Sequence, residues 1–339
     1  MNAIWSFAVK KNAVLAAILT ACAALAAQAE TVTVYSSRNE QLIKPLFDAY
    51  TKETGVEIRV LTGQDGPLLE RLKAEGANTP ADMLITVDAG NLWRATSLGI
   101  LKATQSKAIE EHIPVHLRDP EGHWYGLSVR ARTIFYSPAR VKPADLSTYE
   151  DLADPRWKGR LCLRTSKSVY NQSLVGMMIA QYGEAKTEKM VRGWVANLAT
   201  NPFPDDTKML EALAAGQCDV AVANSYYFGR LVAAKPDFPV KLFWANQNAE
   251  GTHVNVSGAG VTRYARNEKG ALKLIEWLAS DKAQKMYADK DMEFPANPKI
   301  KPNDVVLGWG TFRPNVINVS KAGELQGKAV QLMDRAGYK

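Results

Sequence analysis

The segment Asp219-Val-Ala-Val-Ala-Asn-Ser-Tyr-Tyr-Phe-Gly-Arg230 combines a strand, a turn and the start of a helix. Its first part is apolar and β-branched, which is typical of a strand buried inside a sheet. Asn224 and Ser225 favour turns and helix caps, so we expect the chain to turn there and begin a helix. Tyr226 and Tyr227 then stand at the mouth of a strand-to-helix turn, where α/β proteins place their ligands.

Two adjacent phenols at such a turn have two interpretations. Aromatic side chains mostly provide packing area, so packing on the first helical turn is the commoner role. The other role is ligation through phenolate oxygen. A phenol ionises near pH ~10, so only a strong Lewis acid, such as ferric iron, would bind it as an anion at neutral pH.

The N-terminal segment 1–29 predicts an export signal. Lys10 and Lys11 form its basic start, an alanine-rich apolar stretch follows, and Ala27-Gln28-Ala29 is a cleavage site. The alternative is a lipoprotein signal in which Cys22 is lipidated. The apolar stretch is too short for a membrane span, and both interpretations take the protein out of the cytoplasm. We expect a soluble protein in the periplasm.

Cleavage after Ala29 leaves 339 − 29 = 310 residues, which is enough for two domains. The formal charge of +7 becomes +7 − 2 = +5 once the two lysines of the signal are removed. Because this charge is mixed in sign and forms no basic run, we expect no nucleic-acid partner. No later stretch could span a membrane. No P-loop, H-E-x-x-H or G-x-S-x-G motif is present, so we expect a binding protein rather than an enzyme.

The order of predicted elements indicates two α/β domains. From residue 30 onward, strands and helices alternate as in doubly wound α/β domains. Two long extended segments, 125–137 and 254–261, predict strands that cross between the domains and form a hinge beside a cleft. The predicted division is a first lobe of 30–129 plus about 262–310, a second lobe of 130–261, and a C-terminal helical segment of about 311–339.

Three local predictions accompany this division. Pro45 suits the first turn of a helix that ends at Gly55. One closing helix is expected near residues 321–333. The histidines show no metal-ligand spacing and are expected at the surface; they are His112, His116, His123 and His253.

Cys162 and Cys218 remain in the exported chain, in an oxidising compartment. Each begins a strand-like segment that ends at a tyrosine-bearing turn, with Tyr170 and Tyr226 respectively. A disulfide between them would join the two strands, with an ideal loop-closure benefit of ~4 kcal/mol. Two unpaired buried thiols are the alternative, and the absence of C-x-x-C spacing argues against zinc.

Seven motifs along the exported chain resemble the periplasmic solute-binding proteins of bacterial ABC importers, specifically the ferric-ion-binding group. The motifs are VYSSR (34–38), PADMLITVDAG (80–90), WYGLSVRARTIFYSP (124–138), DLADPRWKGRLCLRTS (151–166), VYNQSL (169–174), NSYYFGR (224–230) and FPANP (294–298). Several of them are common to the wider superfamily. The tyrosine pair with a third tyrosine upstream is the part specific to iron. The resemblance implies a two-lobed α/β fold, the type II periplasmic-binding-protein fold, similar to a transferrin lobe, with two crossover hinge strands.

The resemblance implies that Tyr170, Tyr226 and Tyr227 are iron ligands. Fe³⁺ is a small, hard ion that suits anionic oxygen. Three phenolates neutralise its charge, and the charge of the metal in turn lowers their pKa. The chemistry of the residues therefore agrees with the resemblance.

The resemblance also implies a synergistic anion, carbonate or a similar one, held by Arg38, with Arg130 as a second candidate. The planar fork of arginine matches such an anion. Many relatives place a histidine, sometimes followed by a tyrosine, after this arginine, whereas here Asn39 and Glu40 follow it. We therefore expect the first lobe to contribute either Glu40 or no protein ligand.

The implied function is to bind ferric iron in the cleft and deliver it to an inner-membrane ABC permease and its ATPase. The protein is expected to act as a monomer. The alternative is a solute-binding protein for a polyamine, a phosphonate, sulfate or another oxyanion. The Ser36-Ser37 and Thr165-Ser166 turns would suit an oxyanion.

Overall fold

The computed structural model describes residues 30–339, except for the side chains of residues 290 and 291. The predicted export signal and the lipidation alternative at Cys22 lie outside the described residues. The strands are β1 Thr31–Ser36, β2 Glu57–Thr62, β3 Met83–Thr86, β4 Tyr125–Tyr136, β5 Leu161–Cys162, β6 Val220–Asn224, β7 Lys241–Phe243, β8 Val254–Val261 and β9 Phe294–Pro295.

The helices alternate with these strands along most of the chain. The longer helices are α1 Glu40–Thr54, α2 Asp65–Glu75, α3 Ala89–Ser97, α5 Val169–Tyr182, α6 Glu184–Ala196, α7 Asp206–Ala214, α8 Ser225–Ala234, α9 Glu268–Ala279, α10 Asp281–Asp291 and α13 Gln326–Arg335. The short helices are α4 Lys107–His112, α11 Asp304–Leu307 and α12 Lys321–Glu324.

The strands form one mixed sheet in the order β2-β1-β3-β8-β4-β6-β5, and β7 and β9 also pair with β4. At one end β1 pairs in parallel with β2 and β3, and at the other β5 pairs in parallel with β6. Between them β8 runs antiparallel to both β3 and β4. Parallel strands linked by helices confirm the predicted α/β class.

Strand β4 is shared by the two halves of the sheet. Its segment from Tyr125 to Ala131 pairs with β8, and its segment from Arg132 to Tyr136 pairs with β6. Every residue of β4 and of β8 is buried. The two strands therefore run side by side between the halves, which is the geometry expected of crossover strands.

The buried apolar side chains form three clusters. The largest surrounds β1, β3 and β8, and the other two lie around β5 and β6. The C-terminal helix α13 contributes Leu332 and Met333 to a cluster that also contains Trp157 and Trp194. Helix α13 is thus packed against the half of the molecule that carries β5 and β6.

Helix α1 starts earlier than predicted. It begins at Glu40, because the Asn39 side chain accepts a hydrogen bond from the Gln41 N–H and caps the helix. Pro45 lies inside the helix, where it removes one backbone hydrogen bond. The predicted end at Gly55 is confirmed by its left-handed φ of 76°.

The closing helix predicted near residues 321–333 is two helices, α12 and α13, divided at Leu325. Helix α12 fits between α3 and α5. A Cβ placed on Gly323 would lie 2.4 Å from Trp93 Cβ of α3, and one placed on Gly176 of α5 would lie 3.2 Å from the Ala322 carbonyl oxygen. This close packing fixes α12 against both neighbours and explains why the segment is not one straight helix.

Candidate functional site

The three predicted tyrosines lie at the starts of two helices. Tyr226 and Tyr227 open α8 directly after β6, and Tyr170 is the second residue of α5, which follows β5. Because β5 and β6 are parallel neighbours, the helices after them begin at the same edge of the sheet. The Tyr226 hydroxyl donates to the Tyr170 hydroxyl oxygen at 3.3 Å, and the Tyr226 and Tyr227 ring centroids are 4.3 Å apart. The structure therefore brings all three together.

Burial controls the ionisation of two of these phenols. It raises the pKa of Tyr170 to about 12, although Arg130 works in the opposite direction. Burial also raises the pKa of Tyr226 well above its ordinary value. Both phenols are therefore protonated at neutral pH in the absence of a strong cation.

Arg130 lies against Tyr170 as a buried cation. Its guanidinium carbon is 5.5 Å from the centre of the Tyr170 ring, and the residue is 2% exposed. Its Nη1 donates to Ser257 Oγ at 2.9 Å, and its Nη2 lies 3.8 Å from Asp88 Oδ2. Among the described residues, no hydrogen-bond partner is present for its Nε and Nη2. The Nε and Nη2 groups of Arg130 are thus buried without a hydrogen bond, and Asp88 is a charged neighbour of Nη2.

Arg164 was not predicted as a site residue. Its guanidinium carbon lies 5.1 Å from the Tyr170 ring centre, and its Nη1 lies 3.8 Å from Asp206 Oδ1. Within residues 30–339, its Nε and Nη1 have no hydrogen-bond partner. A charged residue directly after the apolar run Leu161-Cys-Leu163 was the sequence signal that could have found it.

Arg230 also lies near the tyrosines. Its guanidinium carbon is 4.9 Å from the Tyr226 ring centre, although the residue itself is exposed. Arginines placed over aromatic rings add positive potential to the surroundings of the phenols. Three arginines therefore border the tyrosine cluster: Arg130, Arg164 and Arg230.

Arg38 is buried and already paired. Its Nη2 lies 3.2 Å from Glu293 Oε2, and its Nη1 donates to Ser257 Oγ at 2.8 Å. Burial acts to raise the pKa of Glu293, but Arg38 and Arg130 outweigh it and the pKa is lowered. The prediction that Arg38 holds an anion stays a prediction, and an anion there would have to compete with Glu293.

Glu40 is the first residue of α1 and is exposed. Its side chain makes no hydrogen bond or ion pair in the described part of the chain. The described residues contain no group of three or more histidine, cysteine or carboxylate side chains that could hold a metal ion. The role of Glu40 as a ligand stays a prediction, whereas the three predicted tyrosines do lie together.

The surface prediction for His253 is wrong. This residue precedes β8 and is 5% exposed, and its backbone N–H donates to the Tyr149 hydroxyl. Its carbonyl oxygen accepts the N–H of Arg132 in β4, so it lies beside a buried strand, which the spacing of the histidines could not reveal. Burial, together with the positive charges of Arg132 and Arg130, lowers its pKa to about 3.

The predicted disulfide between Cys162 and Cys218 is confirmed, with the two Cα atoms 5.9 Å apart. The bond joins the end of β5 to the segment just before β6. These two strands lead into the helices that carry Tyr170 and the Tyr226-Tyr227 pair. The bond therefore fixes the spacing of the strands on which the tyrosine cluster depends.

Asn224 occupies the predicted cap position before α8, but its side chain does not cap the helix. Its Oδ1 accepts a hydrogen bond from Arg132 Nη1 at 3.1 Å instead. The prediction of a turn is thus confirmed, whereas the use of the side chain as a cap is wrong. A buried arginine competes for the amide oxygen.

The profile of a family described as bacterial extracellular solute-binding proteins matches residues 78–308 of the chain. Iron uptake protein A1 of Synechocystis is 42% identical over 316 residues, covering 91% of this chain and 88% of that protein. None of the helices among residues 30–339 is long and apolar enough to cross a membrane.

Solved structures agree with this match. A Trichodesmium protein in complex with iron and citrate ligands superposes with a TM-score of 0.89 at 43% identity, covering 91% of this chain and all of that one. The apo FutA2 protein of Synechocystis superposes with a TM-score of 0.88 at 42% identity, covering 92% of this chain and all of that one. These matches confirm the periplasmic-binding-protein fold and identify a binding protein rather than an enzyme. The chain belongs to the bacterial extracellular solute-binding proteins and, within them, to the group of iron-uptake and ferric-iron-binding proteins.

Proposed function

We propose that the protein binds ferric iron through the phenolate oxygens of Tyr170, Tyr226 and Tyr227. The observation that carries this proposal is the convergence of the three phenols at one edge of the sheet, with two hydroxyl oxygens 3.3 Å apart. An octahedral ion with bonds of about 2.0–2.1 Å separates neighbouring oxygen ligands by about 3 Å. The spacing therefore suits two oxygens that share one small, hard cation.

The electrostatics of the site favour a cation that can displace protons. A phenol is already protonated at neutral pH, and burial raises the pKa of Tyr170 and Tyr226 further, so only an ion of high charge density ionises them. Fe³⁺ meets this requirement, and three phenolates balance its charge. A weakly polarising organic cation, such as a polyamine, would leave these phenols protonated.

Arg130 is the better placed of the two predicted anion-binding residues. It is buried beside Tyr170, and its Nη2 lies 3.8 Å from Asp88 Oδ2, too far for a hydrogen bond, whereas Glu293 Oε2 lies 3.2 Å from Arg38 Nη2. A carbonate or a similar planar anion fits the fork of a guanidinium with two free donors. The anion would complete the coordination of the iron next to Tyr170.

Capture and release would follow from the hinge. The proposed lobes are residues 30–129 with about 262–310, and residues 130–261, linked by β4 and β8. The C-terminal segment of about 311–339 contacts both lobes, because α12 lies between α3 and α5 and α13 packs against the second lobe. The tyrosines of the second lobe take the iron, and the loop of Arg38 and Glu40 closes over it. Release to an inner-membrane ABC permease and its ATPase would follow one-electron reduction to Fe²⁺ by an external reductant, because phenolate holds Fe²⁺ less well, or protonation of the phenolates as pH falls. The protein would act as a periplasmic monomer.

Equilibrium dialysis against ferric citrate, with and without bicarbonate, tests this function. The wild type should retain iron, and the variant combining Tyr226→Phe with Tyr227→Phe should retain none. Arg130→Gln should still bind iron but lose the effect of bicarbonate. Equal retention by the wild type and the double variant would refute phenolate ligation, and sulfate or phosphonate binding would then be tested.

A further inference from the structure

A buried arginine joins the two turns that carry the tyrosines. Arg132 lies in β4, and its side chain is 1% exposed. Its Nε donates to Asn171 Oδ1 at 3.0 Å, and its Nη1 donates to Asn224 Oδ1 at 3.1 Å. Asn171 directly follows Tyr170, and Asn224 stands two residues before Tyr226. One guanidinium thus hydrogen-bonds a residue next to Tyr170 and a residue two positions before Tyr226.

The remaining donors of Arg132 are also used. Its Nη1 and Nη2 bond the two carboxylate oxygens of Asp206 at 2.9 and 3.4 Å, and Nη2 donates to the Val222 carbonyl oxygen at 3.0 Å. A guanidinium has five N–H donors, and here all five have acceptors. Arg132 therefore has nothing left to offer an anion, which separates it from Arg130 and Arg164.

The acceptors of Arg132 are fixed in turn. The Asn171 Nδ2 donates to the Arg164 carbonyl oxygen at 2.8 Å and to the Tyr338 hydroxyl oxygen at 2.8 Å. Asp206 Oδ2 accepts the backbone N–H of Asn224 at 3.0 Å. The network therefore runs from the loop before Tyr170, through Arg132, to the turn before Tyr226, and none of these hydrogen bonds involves the phenol oxygen of Tyr170, Tyr226 or Tyr227.

We propose that Arg132 is a positioning residue that sets the separation of the Tyr170 phenol from the Tyr226-Tyr227 pair and so tunes iron binding. This inference rests on the proposed ferric site. Ligands that come from two helices bind an ion tightly only if the two helix starts keep a fixed position relative to each other. Residues that hydrogen-bond to the segments next to the ligands fix that position. The lysine side chain carries its three donors on one nitrogen, so it cannot reach all the acceptors that the planar guanidinium of Arg132 bonds.

The test compares Arg132→Lys and Asn224→Ala with the wild type. We expect Arg132→Lys to weaken iron binding, measured by competition with citrate, by about ten- to hundredfold. The visible charge-transfer band should shift or lose intensity, because the phenolates no longer reach the iron together. Asn224→Ala removes only one of the two links and should give a smaller change in the same direction.

Arg140→Lys is the matched control. Arg140 also bonds a carboxylate, Asp219, and backbone carbonyl oxygens of the same half, but it lies outside the network around Arg132. Its replacement should leave the affinity and the band unchanged. If Arg132→Lys and Asn224→Ala lower only the thermal stability of the iron-free protein and leave the band and the affinity as in the wild type, the positioning role is refuted.

Two further outcomes are decisive. If Arg132→Lys does not fold, Asn224→Ala decides, because it leaves the Arg132–Asp206 ion pair intact. If the wild type itself binds iron without a charge-transfer band, the proposed ferric site fails rather than the role of Arg132. The two failures are thereby distinguished.

Discussion

The hydroxyl oxygens of Tyr170 and Tyr226 lie 3.3 Å apart, although 56 residues separate them in the chain. Three features bring them together: the parallel pairing of β5 with β6, the Cys162–Cys218 bond between these strands, and the hydrogen bonds of Arg132. The framework of strands, disulfide and buried arginine therefore places the two phenols side by side.

The disulfide should contribute strongly to stability. Replacing Cys162 and Cys218 together with serine removes a cross-link across 56 residues, for which loop closure predicts a loss of about 4 kcal/mol in the free energy of unfolding. Urea denaturation of the iron-free protein measures this loss. Wild-type protein in a strong reductant should behave as the double variant does, and an unchanged midpoint in both would contradict the prediction.

Replacing only one partner of the buried Arg38–Glu293 pair should lower the free energy of unfolding strongly. Arg38→Met leaves Glu293 without its nearest counter-ion, and removing one partner of a buried pair typically costs about 3–5 kcal/mol. Adding Glu293→Leu to the same chain should restore most of the stability. Chemical denaturation of both variants checks this, and equal stability of the single and double variants would show that the pairing has no such role.

Helix α12 should tolerate no side chain at Gly323. Gly323→Ala places a methyl group against Trp93, where no room exists, and overpacking of this kind costs about 1–3 kcal/mol. Gly327→Ala is the control in the same segment, because nothing lies within 4 Å of that position. The urea midpoint should fall for the first variant and hold or rise for the second. A loss of the same size in both would point to a general effect on the segment.

His253 should make the fold sensitive to acid. Its folded pKa of about 3 lies below the ordinary value of 6.5, so the unfolded chain binds a proton that the folded chain does not. The free energy of unfolding should therefore fall as pH decreases from 6.5 toward 3, by at most about 1.4 kcal/mol per pH unit.

Asp88 has the opposite effect on the free energy of unfolding over part of the range between pH 6.5 and 3. Its burial raises its pKa to about 6, so its contribution favours folding at the lower pH. The measurement is therefore the difference in unfolding free energy between the wild type and His253→Leu at several values between pH 4.5 and 7. As the pH falls, the wild type should lose stability relative to His253→Leu, and a difference that stays constant with pH would contradict the lowered pKa of His253.

Much of the fold could be predicted from the sequence because it depends on local sequence patterns. The strand and turn before Tyr226, the crossover strands and the disulfide follow from apolar runs, turn residues and cysteine positions. The start of α1 was missed because a cap at Asn39 outweighs the helix-start preference of Pro45. The charged parts of the site were less accessible. The pairing of Arg38 with Glu293 and the placing of Arg164 over Tyr170 depend on contacts between distant segments, which no local pattern encodes.

The central claim is that phenolates bind ferric iron, and one spectrum tests it most directly. Protein lacking residues 1–29 is mixed with ferric citrate and bicarbonate, and its visible spectrum is recorded beside that of the variant with Tyr226→Phe and Tyr227→Phe. Tyrosinate bound to Fe³⁺ gives a ligand-to-metal charge-transfer band, so the wild type should become coloured while the variant stays colourless. A colourless wild type with iron still in solution, or a variant as coloured as the wild type, would contradict the claim.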